Sequence, residues 1–395
     1  MSSKRRTIGI ETAILQRSLT GVGNYLYHLV MALAARDENL RFRGLGLVGW
    51  HDVDESFLTE IARLHERKRP QSSAPSVKSG LVKNDVLRRL YRKLRPFQFG
   101  ASARLQRLDI FHAFNYVPPA SPGATVLPVV YDLSFVRMPE THPRERLQQL
   151  APLPKVIARA GLVHTISEFS RREIADVYGY PLDRIFVAPP AANKVFRPLG
   201  PSVTRQQLMS LDLELGSYFL AVGTLEPRKN LRTLITAFAE LPEMERSSCP
   251  LVVVGGAGWG DLSLPPMSDR LIASGQLRFL TDVTNEELRG LYEGTRLLAF
   301  PSVYEGFGMP VVEAFACGSP VAHSEGTAME EVSGGHATLV RAHDVKQWTD
   351  TLQHAIAGDY HLDPLARDAR IRKSREFSWE TSAELVSLAY AKLLT

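Results

Sequence analysis

Pro301-Ser-Val-Tyr-Glu-Gly-Phe-Gly-Met-Pro-Val-Val-Glu-Ala-Phe-Ala-Cys-Gly-Ser-Pro320 is the stretch from which the fold can be read. The apolar run before it, Arg296-Leu-Leu-Ala-Phe300, has the length and composition of a buried strand. Gly306 and Gly308 then mark a turn, Pro310 suits the first position of a helix, and Gly318 suits its stop. In a strand, glycine turn and short helix, the N–H groups of the turn face whatever sits above the helix N-terminus, and that place favours anions. Glu305 before the turn and Glu313 inside the helix bracket it. An ionised carboxylate accepts two hydrogen bonds at once and so matches the neighbouring hydroxyls of a sugar. N–H donors between two such carboxylates suit a nucleotide sugar, with its phosphates, ribose and hexose. A tight turn with two solvated glutamates is the plainer alternative.

A second segment supplies the opposite charge. Tyr218-Phe-Leu-Ala-Val222 reads as a strand, followed by Gly223-Thr-Leu-Glu-Pro-Arg-Lys-Asn-Leu231, with Asn230 as the cap of a helix through Phe238. Arg228 and Lys229 stand just ahead of that N-terminus, where they add two cations to an anion site. Two exposed basic residues in a turn are the alternative. Leu251-Val-Val-Val-Gly-Gly-Ala-Gly-Trp259 is another strand and glycine turn, Arg278-Phe-Leu280 a strand, and Thr281-Asp-Val-Thr-Asn-Glu-Glu-Leu288 the opening of a helix.

The pair Glu305 and Glu313 resembles the E-x7-E signature of the family 4 retaining glycosyltransferases, and the resemblance runs over most of the chain. It implies an α/β protein of the GT-B architecture, two Rossmann-like domains facing across a cleft. It also implies a donor site in the C-terminal half. There Gly223, Arg228 and Lys229 hold the diphosphate with Gly306, Phe307, Gly308 and Met309. Glu313 takes the ribose, Glu305 the hexose hydroxyls, and the loop at Val283 meets the base. With two cations at the diphosphate, no metal and no cofactor beyond the nucleotide sugar are expected. The wording Leu-Glu-Pro-Arg-Lys-Asn and Glu-Gly-Phe-Gly-Met-Pro most resembles mannosyl- and rhamnosyltransferases of bacterial surface polysaccharides. A guanosine-linked donor and a lipid-linked oligosaccharide or polysaccharide acceptor follow from that likeness.

The N-terminal half supplies further candidates. Thr7-Ile-Gly-Ile-Glu-Thr12 is a first strand, and Ser18-Leu-Thr-Gly-Val-Gly-Asn24 a glycine turn opening a helix. The third glycine of a dinucleotide fingerprint is missing, which argues against NAD. By the resemblance this loop faces the cleft, with Gly21 and Gly23 letting backbone approach the donor or the acceptor. Arg41 to Trp50 reads as a second strand ending in His51-Asp-Val-Asp54, whose Asp52 and Asp54 define a rival metal-dependent mechanism or a mere helix cap. Asp109-Ile-Phe-His-Ala-Phe-Asn-Tyr-Val-Pro-Pro119 and Thr125-Val-Leu-Pro-Val-Val-Tyr-Asp-Leu-Ser134 are strands with polar ends. Ligands of such sheets bind beyond the carboxyl ends of strands, so His112, Asn115, Tyr131 and Asp132 are sugar-site candidates. The family usually has His-Asp where this chain has Tyr131-Asp132, and the tyrosine makes a 6-deoxyhexose such as rhamnose more credible. Asp132 is expected nearest the reacting carbon, completing a catalytic set with Arg228, Lys229 and Glu305. Gly161 to Ile174 reads as strand then helix capped by Ser167, with Ser170 the next-best cap.

Length and charge fit this picture. A chain of 395 residues exceeds one ordinary core. The expected domains are 1–195, acceptor-binding, and 196–377, donor-binding, with a C-terminal helix at 378–395 crossing back onto the first. Residues 1–200 hold 30 Lys and Arg against 17 Asp and Glu, the remainder 17 against 25, so the net +5 conceals a basic N-half on an acidic C-half. Residues 66–80 read as a loop, and Val82, Val86, Leu90 and Leu94 fall at helical spacing among arginines and lysines. That region is a candidate contact for an anionic membrane surface or a lipid-linked pyrophosphate. No apolar run approaches the ~18 residues of a membrane span, and Cys249 and Cys317 lie far apart in apolar contexts. The reading is a cytoplasmic protein, peripheral to the inner membrane, with no nucleic-acid partner. Three rivals stay open at this point: the metal-dependent transferase, a sugar-nucleotide epimerase of the same layout, and a non-catalytic glycan- or lipid-binding assembly partner.

Overall fold

A computed structural model of the chain describes residues 5–16, 21–46, 49–66, 99–256, 258–259, 264–358 and 363–395. Short apolar runs become strands because helices cover both faces of a parallel sheet. Ile110–Ala113, Leu251–Val254 and Leu297–Phe300 are buried along their whole length. Each large aliphatic or aromatic side chain so placed stabilises the fold by about 1.5–3 kcal/mol.

Among the described residues the strands form two sheets. The first takes β1 (Arg6–Glu11), β2 (Leu40–Leu45), β3 (Trp50–Asp52), β4 (Ile110–Ala113), β5 (Thr125–Val130), β6 (Val163–Thr165) and β7 (Ile185–Val187) in the order β3-β2-β1-β4-β5-β6-β7. The second takes β8 (Phe219–Val222), β9 (Leu251–Val254), β10 (Leu277–Leu280), β11 (Leu297–Phe300), β12 (Val321–Ser324) and β13 (Thr338–Val340) in the order β10-β9-β8-β11-β12-β13. All pairings are parallel except β2 with β3. In each sheet the chain reverses its direction of travel beside the first strand, between β1 and β4 and between β8 and β11. Helices then lie on opposite faces on the two sides of that point, and a crevice opens beyond the strand ends.

The helix Trp379–Leu394 packs on the helix Gly21–Arg36, and its Ser382 hydroxyl donates to the carbonyl of Pro189. The last helix is thus anchored on the first sheet. The helix Met309–Ala316 ends as the sequence indicates. Gly318 has φ +83°, its N–H reaches Phe315 O at 2.9 Å, and Ser319 N reaches Ala314 O at 2.9 Å. That is a Schellman stop, which needs a left-handed residue at Gly318.

The span Arg41 to Trp50 is not one strand. It folds back, with Gly46 N bonded to Gly49 O at 2.9 Å, so that β3 runs antiparallel at the sheet edge. The 66–80 loop beyond Glu66 and the amphipathic helix at 82–95 lie outside the described residues, as do Ser18 and Thr20 of the first glycine turn. Gly21 and Gly23 are the opening residues of the helix Gly21–Arg36, and neither has a positive φ. No described helix is long and apolar enough to cross a membrane.

Candidate active site

The carboxyl ends of β8 and β11 lie side by side, and the two charged segments emerge from them. After β8 a single 3-10 turn, Pro227–Lys229, presents Arg228 and Lys229. After β11 the chain passes through Tyr304 and Glu305 to the helix Met309–Ala316. Arg228 pairs through Nη2 with Glu226 Oε1 at 2.7 Å and through Nη1 with Glu305 Oε1 at 3.1 Å; Nη1 also donates to Tyr304 O at 2.9 Å. Lys229 Nζ reaches the same Glu305 oxygen at 2.6 Å and lies 4.9 Å from the Phe300 ring centre. All four charged side chains are largely enclosed.

Burial sets the electrostatics of this cluster. Alone it would raise the Glu305 carboxyl, but the charges of Arg228 and Lys229 outweigh it and bring the group down to about 2. Burial raises the Glu226 carboxyl, with Arg228 opposing, and lowers the Lys229 ammonium, with Glu305 opposing. Glu226 keeps its second oxygen buried with no hydrogen-bond partner. Unlike charges so tightly gathered are costly to desolvate, which offsets much of their mutual attraction as a contribution to folding.

The glycines hold backbone segments against one another. A Cβ on Gly255 would lie 1.9 Å from Gly223 O, so the turns after β8 and β9 touch. A Cβ on Gly306 would lie 2.3 Å from Tyr131 O and 2.7 Å from Asp132 Cβ, which are carried by the other sheet. Gly308 has φ +103°, a conformation that disfavours any side chain. One helical turn beyond, the half-buried Glu313 accepts a hydrogen bond from Tyr292 OH at 2.9 Å. Its burial with a single such donor pushes its carboxyl up to about 7.

From the first sheet, the segment after β5 comes to meet this turn. Tyr131 O and Gly306 O both accept from the Ser170 hydroxyl, at 3.0 and 3.3 Å. Leu133 N donates to Tyr304 OH at 3.2 Å, and that hydroxyl donates to Glu173 at 3.3 Å. Glu331 accepts from Glu168 N and Phe169 N, each at 3.0 Å, and so caps a helix of the opposite half. Trp259 Nε1 donates to Thr141 O at 2.9 Å. Asp132 sits within this contact zone, accepting from Ser134 N and Ser134 Oγ at 3.1 and 2.9 Å.

Residues 214–374 match the family model described as glycosyl transferases group 1. The chain is 31% identical over 387 residues to the O-antigen chain mannosyltransferase B of Escherichia coli, covering 97% of this chain and 98% of that one. The chain belongs to the group 1 glycosyltransferases. It is also 28% identical over 245 residues to a serotype-specific mannosyltransferase, WbdA, of Escherichia coli, covering 60% of this chain and 29% of that larger protein. In structure it is similar to the sucrose-phosphate synthase of Thermosynechococcus elongatus, with a TM-score of 0.69 over 98% of this chain and 99% of that one at 18% identity. The two facing Rossmann-like sheets are the GT-B fold.

This glycosyltransferase uses several of the sequence candidates differently. His112 is wholly buried and does not reach the crevice; its nitrogens are taken by Tyr390 OH at 2.7 Å and His164 Nδ1 at 2.9 Å. The reason is strand parity, since its side chain falls on the face covered by the last helix. Tyr131 is buried between Tyr25 and Tyr116, ring centres at 5.7 and 5.4 Å, with its hydroxyl enclosed and unpartnered. Asn115, half-buried, accepts from Arg146 Nη1 at 3.5 Å. Asp52 pairs with Arg41 at 2.9 Å and Arg43 at 2.8 Å, and Asp54 accepts from Phe57 N at 2.9 Å at the start of a helix. Asp52 belongs to the antiparallel edge and Asp54 to the start of the helix, and no described group of acidic, His or Cys side chains gathers as a metal site. Asn230 caps no N–H; it is left-handed and ties Pro301 O and Ala342 O. Val283, half-buried, precedes a helix closed by the Thr284–Glu287 capping box. Phe307 is buried against Phe377, and Met309 opens the helix.

Glu226, Ser134, His142 and Glu331 are the residues that sequence reasoning passed over. Only Glu226 carried a signal, as a third charge in the Glu-Pro-Arg-Lys segment. The others act through pairings more than a hundred residues apart, or through a neighbour.

Proposed function

We propose that this glycosyltransferase moves a mannosyl unit, or a 6-deoxyhexose such as rhamnose, from a guanosine-linked diphosphate sugar to a lipid-linked oligosaccharide or polysaccharide, with retention and without a metal. The observation that carries the reading is the convergence of Arg228, Lys229 and Glu305 at the β8–β11 crevice, with Glu313 on the helix that follows. An incoming diphosphate finds two cations and the N-terminus of that helix. As the glycosidic bond breaks, Arg228 and Lys229 stabilise the charge gathering on the leaving diphosphate. Glu305, ionised at neutral pH, accepts from hexose hydroxyls, and Glu313 accepts from the ribose diol. Asp132 faces the transferred sugar from the other half. The second domain holds the donor and the first the acceptor, and contact between them limits donor hydrolysis by excluding water. Mannose is favoured because both Escherichia coli relatives are named mannosyltransferases.

The test is a thermal-shift panel of nucleotide sugars with the wild type and Glu313→Ala. GDP-mannose is expected to raise the melting temperature of the wild type, and the variant to lose most of that shift. Turnover in chelator and the anomeric configuration of the product, read by NMR, test the metal and stereochemical parts. A panel in which no donor stabilises the wild type would sink the reading.

A further inference from the structure

Three of the described histidines are wholly buried. His112, His164 and His323 each have both ring nitrogens within hydrogen-bond distance of protein groups. His142 does not. Its Nε2 lies 3.0 Å from Ser134 Oγ, and its Nδ1 is buried with no partner. The direction of the bonds is fixed by the carboxylate at the far end. Asp132 Oδ1 can only accept, so the Ser134 hydroxyl donates to it at 2.9 Å. The Ser134 oxygen must then accept from His142, which places the ring proton on Nε2. The order runs one way, from imidazole N–H through hydroxyl to carboxylate.

The far end of this chain lies at the donor turn. Ser134 N adds a second bond to Asp132 Oδ1 at 3.1 Å, so that one oxygen is saturated while Oδ2 takes no bond from the described residues. Asp132 Cβ stands 2.7 Å from where a Cβ on Gly306 would be, and the charge of Asp132 acts on Arg228. The near end is covered by the opposite half, with the Trp259 ring centre 6.1 Å from that of His142.

We propose that His142 and Ser134 are positioning residues of the transfer reaction. They hold the Asp132 carboxylate so that Oδ2 stays free for a hydroxyl of the reacting sugars. The wholly buried His112, His164 and His323 use both nitrogens; His142 is oriented by one bond, to the group that orients Asp132. The proposal rests on the reading above that Asp132 faces the transferred sugar.

The experiment compares Ser134→Ala, His142→Phe, His142→Gln and Asp132→Ala in the full chain, with GDP-mannose as donor and octyl α-mannoside as acceptor. Gln places an N–H near the position of Nε2 and retains the donor. Ser134→Ala and His142→Phe are expected to lower kcat about tenfold, with KM for GDP-mannose within about twofold. His142→Gln is expected to recover to within about threefold of wild type. Melting temperatures of all three are expected within about 2 °C of wild type. Full kcat in His142→Phe, or a His142→Gln as slow as His142→Phe, would overturn the proposal. Full activity in Asp132→Ala would instead overturn the role of Asp132 on which it is built.

Discussion

Nε2 of His112 lies 2.9 Å from Nδ1 of His164, and both imidazoles are wholly buried between β4 and β6. Their bonds form one directed chain. Tyr25 OH donates to Ala188 O at 2.6 Å, so at 2.8 Å it accepts from His164 Nε2. His164 Nδ1 then accepts from His112 Nε2, and His112 Nδ1 accepts from Tyr390 OH at 2.7 Å. Every group is satisfied with both rings neutral, and the last helix is tied to the first sheet. Tyr390→Phe removes the terminal donor and leaves a buried lone pair. It is expected to cost about 1–3 kcal/mol of stability, read by urea unfolding. The thermal-shift increment from GDP-mannose should be unchanged, whereas loss of that increment would return His112 to the sugar site.

The same chain gives stability a pH dependence. Burial lowers His164 to about 3 and His112 well below its ordinary value. The unfolded chain takes up protons near pH 6.5, where the folded rings do not. Stability is therefore full above about 6.5 and is lost as pH falls toward the folded values, by up to about 1.4 kcal/mol per pH unit for each imidazole. His28, lowered to about 4 by burial, adds in the same direction. Glu313 works oppositely: its raised carboxyl adds stability as pH falls below about 7. Three imidazoles outweigh one half-buried carboxyl, so urea midpoints should fall between pH 7.5 and 5.5. A flat profile would mean that the rings titrate normally in the fold.

Glu305 is held by two cations, and on the proposed reading its removal should separate binding from chemistry. In Glu305→Ala the charges of Arg228 and Lys229 lose a partner at 3.1 and 2.6 Å and remain for the diphosphate. GDP alone should bind at least as tightly as to the wild type, measured by calorimetry. Turnover of GDP-mannose should fall about a hundredfold, because hydroxyls held by a charged acceptor are lost in the transition state. Weaker GDP binding in the variant would mean that Glu305 organises the cations instead of holding the sugar.

The elements legible in the sequence were those built from local chemistry. Gly318 could be read as a helix stop because a Schellman turn needs its left-handed backbone, and Ser167 as a cap because its hydroxyl reaches Ser170 N at 3.0 Å. The GT-B layout was legible through the resemblance to the family 4 glycosyltransferases that Glu305, Glu313 and the Arg228-Lys229 segment carry. Residues whose role depends on which way a strand end points were not legible. His112 looks like a site residue at the end of β4, yet parity turns it to the last helix. Asn230 looks like a cap, but its backbone is left-handed at φ +54° and its amide spans two loops. Glu331 caps a helix 163 residues away in sequence, a pairing that no local pattern encodes.

If Glu313 takes the ribose as proposed, donor binding is sensitive to pH near neutrality. Its carboxyl, raised to about 7, has Tyr292 OH at 2.9 Å as its protein donor. A ribose diol brings two further donors, which favour the ionised form and draw the group back toward its ordinary value. Donor binding near pH 7 must then release protons, and affinity must weaken as pH falls below about 7, by up to about tenfold per unit. Calorimetry of GDP-mannose in two buffers of different ionisation enthalpy measures the release directly. Tyr292→Phe removes the hydroxyl that stabilises the carboxylate, so the midpoint of the pH dependence should move upward. Glu313→Gln should abolish the pH dependence while retaining part of the affinity, since an amide oxygen still accepts. A proton release that persists in Glu313→Gln would assign the titration to another group and remove Glu313 from the ribose.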